Sequence, residues 1–417
     1  MTSSDATQSG PVAPIFLPGQ IPDRTRWTGW DRWRRTRGLF VPAPLFTLDA
    51  YQKLSPRQRR LHDLHRVATH SNLQIQETPM SMRVAWRLRA LIEDNAFDCS
   101  PGTRPGMMIN GGACQGKTET VCEVIAGFED DWLALHADNP LAIAGTRDIH
   151  APVAYVRTPV KATPISTCQR ILDFFGEDYK GMRLEDLVRT VKDAVFDHGC
   201  KALVLDDVTR LKLHREADQD VLDLIRELMS LPVTLALVGV GIPKSGLLRD
   251  GRRDPVTGQW LFPPVKDRGK SPNDEAPGQT DLRFELLDLD PFRYDTRAGI
   301  TAWTGHLVGL ESQLRLLRSE EGMLTTGSMP EYLFSRANGV VGLLKRLIQA
   351  GCRYAMETGE ERLTPDLLDA MVIHPADLPG LDPDSGEMPD IPPAPRRTTR
   401  SRNTVFDDRG TPPAAAG

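Results

Sequence analysis

Between residues 106 and 290, short apolar runs alternate with longer stretches in which apolar positions recur at helical spacing. The runs at 107–110 (MMIN), 153–156 (VAYV), 202–205 (ALVL) and 233–238 (VTLALV) each read as a strand buried on both faces, and 284–289 (FELLDL) is a fifth. Strands separated by amphipathic helices predict an α/β fold: a mostly parallel sheet with helices on both faces, in three layers. Upstream, 55–94 is helical in pattern; in SMRVAWRLRALIEDN the residues Val84, Leu88 and Leu91 share one face and lead into the core. After Pro291, HLVGLESQLRLL and VVGLLKRLIQAGCRYAMETG predict a small all-helical domain ending near 373. The expected organisation is an arm at 1–54, a core at 55–290, a helical domain at 291–373 and a tail at 374–417.

Two segments break the pattern. Residues 249–281 are too rich in Pro, Gly and charge for a core and predict a surface loop or small hairpin. The tail, with PPAPRRTTRSR and TPPAAAG, carries too few apolar residues to fold alone and is expected to be disordered unless bound, either as a peptide for a partner or as a solubilising end. In the arm, Trp27, Trp30 and Trp33 recur at three-residue spacing beside Arg32, Arg34, Arg35 and Arg37. That pattern suits a docking helix, a basic arm on nucleic acid, or tryptophans packed on the next domain.

Composition adds constraints. The 417 residues are 40% hydrophobic, enough for one full core and a smaller second one. Net charge is −5, so nucleic-acid contact would have to come from a local patch or an assembled surface. There is no run of about 18 apolar residues and no signal-peptide pattern in MTSSDATQSGPVAPIF, so a cytoplasmic protein without membrane attachment is expected. The six cysteines form no C-x-x-C pair and have no histidine at zinc-ligand spacing, which fits a reducing compartment.

The chemistry is concentrated in GMMINGGACQGKTET. Gly111, Gly116, Lys117 and Thr118 satisfy G-x-x-x-x-G-K-[ST], with an apolar strand before and a helical pattern after. Glycines let the backbone wrap phosphates with successive N–H groups inward, and the helix N-terminus adds its positive dipole end. Lys117 then neutralises β and γ oxygens of ATP, and the Thr118 hydroxyl takes a position on Mg²⁺. Gly111, Gly112, Ala113, Cys114, Gln115, Gly116, Lys117, Thr118 and Glu119 are the candidate nucleotide contacts. The partner element is KALVLDDVTRL, an apolar strand expected beside the P-loop strand: Asp206 would hold Mg²⁺ and Asp207 would polarise the attacking water, or the two acids cap a helix.

This order of elements, together with LALVGVGIP, RFELLDLDPF and ANGVVGLLKRLIQAG, resembles AAA+ ATPases. Within them it resembles the TniB-like transposition ATPases, relatives of the TnsC and MuB target-selection proteins. The resemblance covers about residues 55–372 and implies a P-loop NTPase whose 291–373 domain is a lid. It also implies that Arg283 is an arginine finger reaching the γ-phosphate of a neighbouring subunit, against the plainer reading of a solvated strand-edge residue. Three departures are visible: Asp207 where most AAA+ proteins carry glutamate, a glycine-rich end to VTLALVGVGIP where the usual polar sensor is missing or displaced to Ser245, and Gly342 where many relatives place a sensing arginine, with Lys345 or Arg346 one turn on as substitutes. They imply slow, partner-stimulated ATP hydrolysis.

In the resembling proteins, loops near RTPVKATPIS and TRLKLHR line a filament on duplex DNA. Lys161, Arg210 and Lys212 are therefore the DNA-contact candidates, with Arg157, Thr163 and Arg215 nearby; each also reads as an ordinary exposed residue. The implied function is an ATP-dependent protein that forms rings or filaments on double-stranded DNA and assists a transposase in target selection or activation. A nucleotide-switched signalling or scaffold ATPase without DNA, and a helicase-loader-like ATPase, are the alternatives.

Overall fold

The computed structural model describes residues 21–74, 76–100, 102–139, 149–159, 163–208, 219–244, 252–253, 256, 260–261 and 283–373. Lys161, Arg210, Lys212, Arg215, Ser245 and the 374–417 tail lie outside the described residues. The helices are α1 (Trp27–Thr36), α2 (Leu48–Gln52), α3 (Pro56–Ser71), α4 (Pro79–Phe97), α5 (Lys117–Asp138), α6 (Pro164–Phe175), α7 (Leu184–Asp197), α8 (Gln219–Leu228), α9 (Arg297–Glu311), α10 (Met329–Ala337), α11 (Val341–Thr358) and α12 (Pro365–Asp369). The strands are β1 (Gly106–Gly111), β2 (Val153–Arg157), β3 (Ala202–Asp206), β4 (Thr234–Gly239), β5 (Arg252–Arg253), β6 (Trp260–Leu261) and β7 (Phe284–Leu289).

All five apolar runs form strands, in one parallel sheet ordered β2-β3-β4-β1-β7. Met107, Met108, Ile109, Leu203, Val204, Leu237 and Val238 are fully buried, as both-face coverage by helices requires. β3 does not lie beside β1, contrary to the sequence expectation: β4 is inserted between them, pairing Met107 with Ala236 on one side and Ala202 with Thr234 on the other. Strand order is set by how far each crossover carries the chain, which no single strand encodes. Within the Pro/Gly-rich insertion, β5 and β6 pair antiparallel as a short hairpin.

α4 buries Val84, Leu88 and Leu91 against the sheet and α5. α3 instead packs on α11 of the helical domain. Its Arg66, 1% exposed, donates to both carboxylate oxygens of Glu361 (2.6 and 3.0 Å) and to Asp63 (2.7 Å). The helical domain has its own core around Trp303, Leu307, Leu333, Leu344, Leu347 and Ile348, to which Leu73 also belongs.

The tryptophans of α1 pack on the α/β core. Trp30 is fully buried, Trp27 and Trp33 lie partly buried against the same cluster, and Trp30 Nε1 donates to the buried carboxylate of Glu129 on α5. Among the described residues, no helix is long and apolar enough to cross a membrane.

Candidate nucleotide-binding site

β1 and β7 bring Gly111 so close to Leu289 that a Cβ on Gly111 would lie 2.6 Å from the Leu289 carbonyl oxygen. The chain then turns through two left-handed residues, Cys114 (φ 59°) and Gly116 (φ 84°), before α5 starts at Lys117. This alternation folds successive N–H groups into a concavity. Gly116, as N-cap, has no side chain to satisfy the first-turn N–H groups, whereas α3, α4 and α6 are each closed by a capping box. The start of α5 is thus left open to an anion. Lys117 Nζ donates to the carbonyls of Gly111 (3.0 Å) and Gly112 (2.6 Å). Burial holds its ammonium below the usual lysine range, opposed by the charges of Asp206 and Asp207.

Although β4 separates their strands, α5 carries Thr118 back over the sheet to Asp206. The Thr118 hydroxyl donates to Asp206 Oδ2 at 2.7 Å, and Tyr155 of β2 donates to the same oxygen at 2.7 Å. The Asp207 N–H donates to Asp206 Oδ1 at 2.8 Å. Asp206 is 2% exposed. One buried carboxylate beside a hydroxyl whose proton is already directed at it leaves hydroxyl lone pairs for a hard cation. Mg²⁺ is held in this way when phosphates complete the shell, and the residues fit it. Among the described residues, no group of three His, Cys, Asp or Glu forms an all-protein metal cage.

Asp207 has φ 59°, and its carboxylate lies 3.8 Å from the guanidinium of Arg157 at the end of β2. Thr163, considered above as a DNA contact, caps α6 with its hydroxyl. Glu119 turns its carboxylate to Arg24, which donates to both oxygens (3.0 and 2.8 Å). At the C-terminal end of β1, Asn110 donates to Asp288 (2.7 Å) and accepts from the Ile242 N–H (3.1 Å), tying the ends of β7 and β4 to the P-loop strand.

A cleft of about 400 Å³ opens between the P-loop, the segment before α4 and the helical domain. Leu73, Met80, Leu289, Leu310 and Val341 supply apolar walls, and Gln74, Gln76, His306 and Gln349 supply polar ones. The helical domain meets the P-loop at Gly342, whose N–H donates to the Cys114 carbonyl at 2.9 Å. Lys345 and Arg346 both line the cleft, and Lys345 Nζ donates to the Leu73 carbonyl (3.0 Å). Sequence reasoning missed the cleft walls, Tyr155, Asn110 and Arg24. Asn110 had a signal, as a polar residue closing an apolar strand at the mouth of the P-loop; Tyr155 had none.

Arg283 lies just before β7, whose Phe284 pairs with Gly106 and whose Leu289 pairs with Gly111. It is therefore about 20 Å along the strand from the P-loop, at the other end of the sheet.

A parallel sheet ordered β2-β3-β4-β1-β7, with a P-loop after β1, an aspartate pair after β3 and a helical lid over the cleft, is the fold of an AAA+ P-loop NTPase. Residues 102–244 match the AAA domain family. Among solved structures, the chain is similar to Aeropyrum pernix ORC2 in its ADPNP–ADP complexes (14% identical, TM-score 0.48, 72% of this chain and 69% of that one). It is also similar to ORC1 of the same organism in complex with DNA (13%, TM-score 0.48, 72% and 67%). A further similar structure is domain III of the Thermotoga maritima replication initiation protein DnaA (12%, TM-score 0.34, 72% and 92%). No curated protein matches the chain in sequence.

Proposed function

We propose that the chain is an ATP-binding and hydrolysing switch that assembles on duplex DNA in its ATP state and assists a transposase. The observation that carries the nucleotide part is the Thr118–Asp206 hydrogen bond beside an uncapped P-loop helix, at the mouth of a cleft of nucleoside size. Base and sugar would occupy the cleft, while the phosphates take the N–H groups of 112–118. Lys117 would exchange its two carbonyl partners for phosphate oxygens. Thr118 and Asp206 would hold Mg²⁺, which would supply charge neutralisation to the phosphates. Asp207 would orient and deprotonate the attacking water, its carboxylate shorter than the glutamate common in AAA+ proteins, so basal turnover is slow.

Arg283 is too far from its own P-loop to serve it, and the finger role the resemblance implies would be played on a neighbouring copy. That requires a ring or filament. The DNA and transposase parts rest on the TniB-like resemblance, with Lys161, Arg210 and Lys212 as the candidate phosphate contacts and the cytoplasm as the compartment.

The test is binding of the full chain to labelled duplex DNA of random sequence with ATP, with ADP and without nucleotide, at two salt concentrations, alongside negative-stain images. ATP-dependent, salt-sensitive binding with rings or filaments is expected. Oligomers that form with ATP but ignore DNA would remove the DNA and transposase parts and leave a nucleotide-switched scaffold.

A further inference from the structure

We infer that Tyr155, clamped by the N-terminal segment through Arg24 and Trp30, is a positioning residue that fixes the Asp206 carboxylate for the Mg²⁺–nucleotide complex. The inference rests on the nucleotide reading above and adds to it a part of the chain that lies 80 residues before the P-loop in sequence.

The geometry is a relay of three contacts. Tyr155 is 2% exposed and donates its hydroxyl to Asp206 Oδ2 at 2.7 Å, the oxygen that also accepts from Thr118. With the Asp207 N–H on Oδ1, the carboxylate is pinned from three sides, so its orientation toward Thr118 is set before any cation arrives. The Tyr155 ring is in turn held from outside the sheet. Trp30 stacks on it with centroids 6.1 Å apart and planes 20° off parallel, and the Arg24 guanidinium lies 5.8 Å from its centroid. The same guanidinium lies 5.0 Å from the Trp33 ring and donates in a fork to Glu119, the neighbour of Thr118 on α5. One arginine therefore touches the support of both groups that would hold the cation.

The segment has its own anchors. Arg34 pairs with Asp130 and Glu129, and Arg37 pairs with Asp130 (2.6 Å) and Glu123 (3.2 Å), so 24–37 is bound along α5 by side chains more than 80 positions away in sequence. A hydrogen-bond partner behind a metal-bearing carboxylate, held rigidly by stacking, sets ligand orientation; removing such a partner typically weakens metal affinity ten- to hundredfold.

The experiment measures binding of a fluorescent ADP analogue to the full chain with Mg²⁺ and with EDTA. Tyr155→Phe keeps the stacked ring and deletes only the hydroxyl. It should bind the analogue in EDTA as the wild type does and lose about tenfold of the tightening that Mg²⁺ brings. Arg24→Ala should lose part of the same tightening, and the double variant should lose less than the sum of the two, because the part of the Arg24 effect that runs through the Tyr155 ring is already gone. Should the tyrosine variant fold poorly, Arg24→Lys, which leaves β2 untouched and keeps a cation beside the Tyr155 ring while breaking the fork to Glu119, should retain most of the Mg²⁺ tightening that Arg24→Ala loses; an equal loss in both would place the effect on Glu119 and overturn the inference. A Tyr155→Phe protein with full Mg²⁺ tightening overturns the inference, as does a double variant whose losses add and extend to EDTA. If the wild type binds no analogue in either condition, the nucleotide reading itself falls and takes this inference with it.

Discussion

Gly342 is where the lid rests on the P-loop, and the fit leaves no room for a methyl group. A Cβ there would lie 2.7 Å from both the Cβ and the carbonyl oxygen of Cys114, and the second of these atoms is backbone. The P-loop has little freedom to yield, since Gly111 already sits against the Leu289 carbonyl. In Gly342→Ala the clash would be relieved by α11 moving away, which breaks the 2.9 Å hydrogen bond from Gly342 to Cys114. Overpacking of this kind costs about 1–3 kcal/mol. The lid keeps its separate core of Leu344, Leu347 and Ile348, so the strain should appear as an opened cleft and not as unfolding. At about 1.4 kcal/mol per tenfold, nucleotide affinity measured by calorimetry should weaken about five- to hundredfold. Gly305→Ala is the matched control: it lies in α9 with nothing near its missing Cβ. It should leave affinity unchanged and raise stability by about 1 kcal/mol through helix propensity. A Gly342→Ala protein that binds nucleotide as tightly as wild type would refute the lid contact as part of the site.

Lys117→Ala should abolish binding of ATP by equilibrium titration, because no other described cation donates to the P-loop carbonyls. Asp207→Asn should retain ATP while its hydrolysis falls at least about a hundredfold, with ATP-state oligomers persisting in sizing experiments; fast turnover would place water activation elsewhere. Alkylation of the exposed Cys114 should be slowed by ATP, as read by mass spectrometry, and the buried Cys122, Cys168, Cys200 and Cys352 should stay unmodified in the folded chain. Burial depresses the pKa of His62, His150 and His306 to about 4 and of His70 to about 3, against an unfolded value of 6.5. The unfolded chain therefore binds protons that the fold refuses, and stability should fall as pH drops from about 6.5 toward 4, in denaturant titrations. Glu129, raised to about 7 by its burial against the pull of Trp30 and Arg34, works the other way. His306→Phe should flatten the acid slope by up to about 1.4 kcal/mol per pH unit.

The P-loop and the five strands were legible because each is contiguous. A phosphate cradle needs its glycines, lysine and threonine within one turn, and a parallel strand covered on both faces must be a run of apolar residues. What the chain hides is adjacency. β4 between β1 and β3 follows from crossover lengths, and the cleft gathers Leu73, Cys114, Leu310 and Gly342 from segments hundreds of positions apart. Tyr155 reads as one more apolar strand position, since only the end of β3 brought beside it gives the hydroxyl a partner. The Trp/Arg helix left three readings open because its pattern encodes an amphipathic surface and not what covers it; Glu129 and Asp130 on α5 decide in favour of packing.

Asp207 joins sequence and structure in one residue. From the sequence it is a departure, an aspartate where a longer acid is usual; in the fold its backbone has φ 59°. Left-handed backbone is costly for most side chains, and aspartate and asparagine enter it several-fold more readily than other residues because their short polar groups bond locally. Asp206 shows why the turn is there. Its Oδ1 accepts the Asp207 N–H at 2.8 Å, while the Asp206 carbonyl accepts the Thr158 N–H at 2.9 Å. The turn that makes Asp206 a fixed carboxylate is a turn that favours a short polar side chain at 207. Rigidity at the proposed cation-holding position and reach at the proposed water-activating one are thus opposed in this loop, and its backbone favours the first.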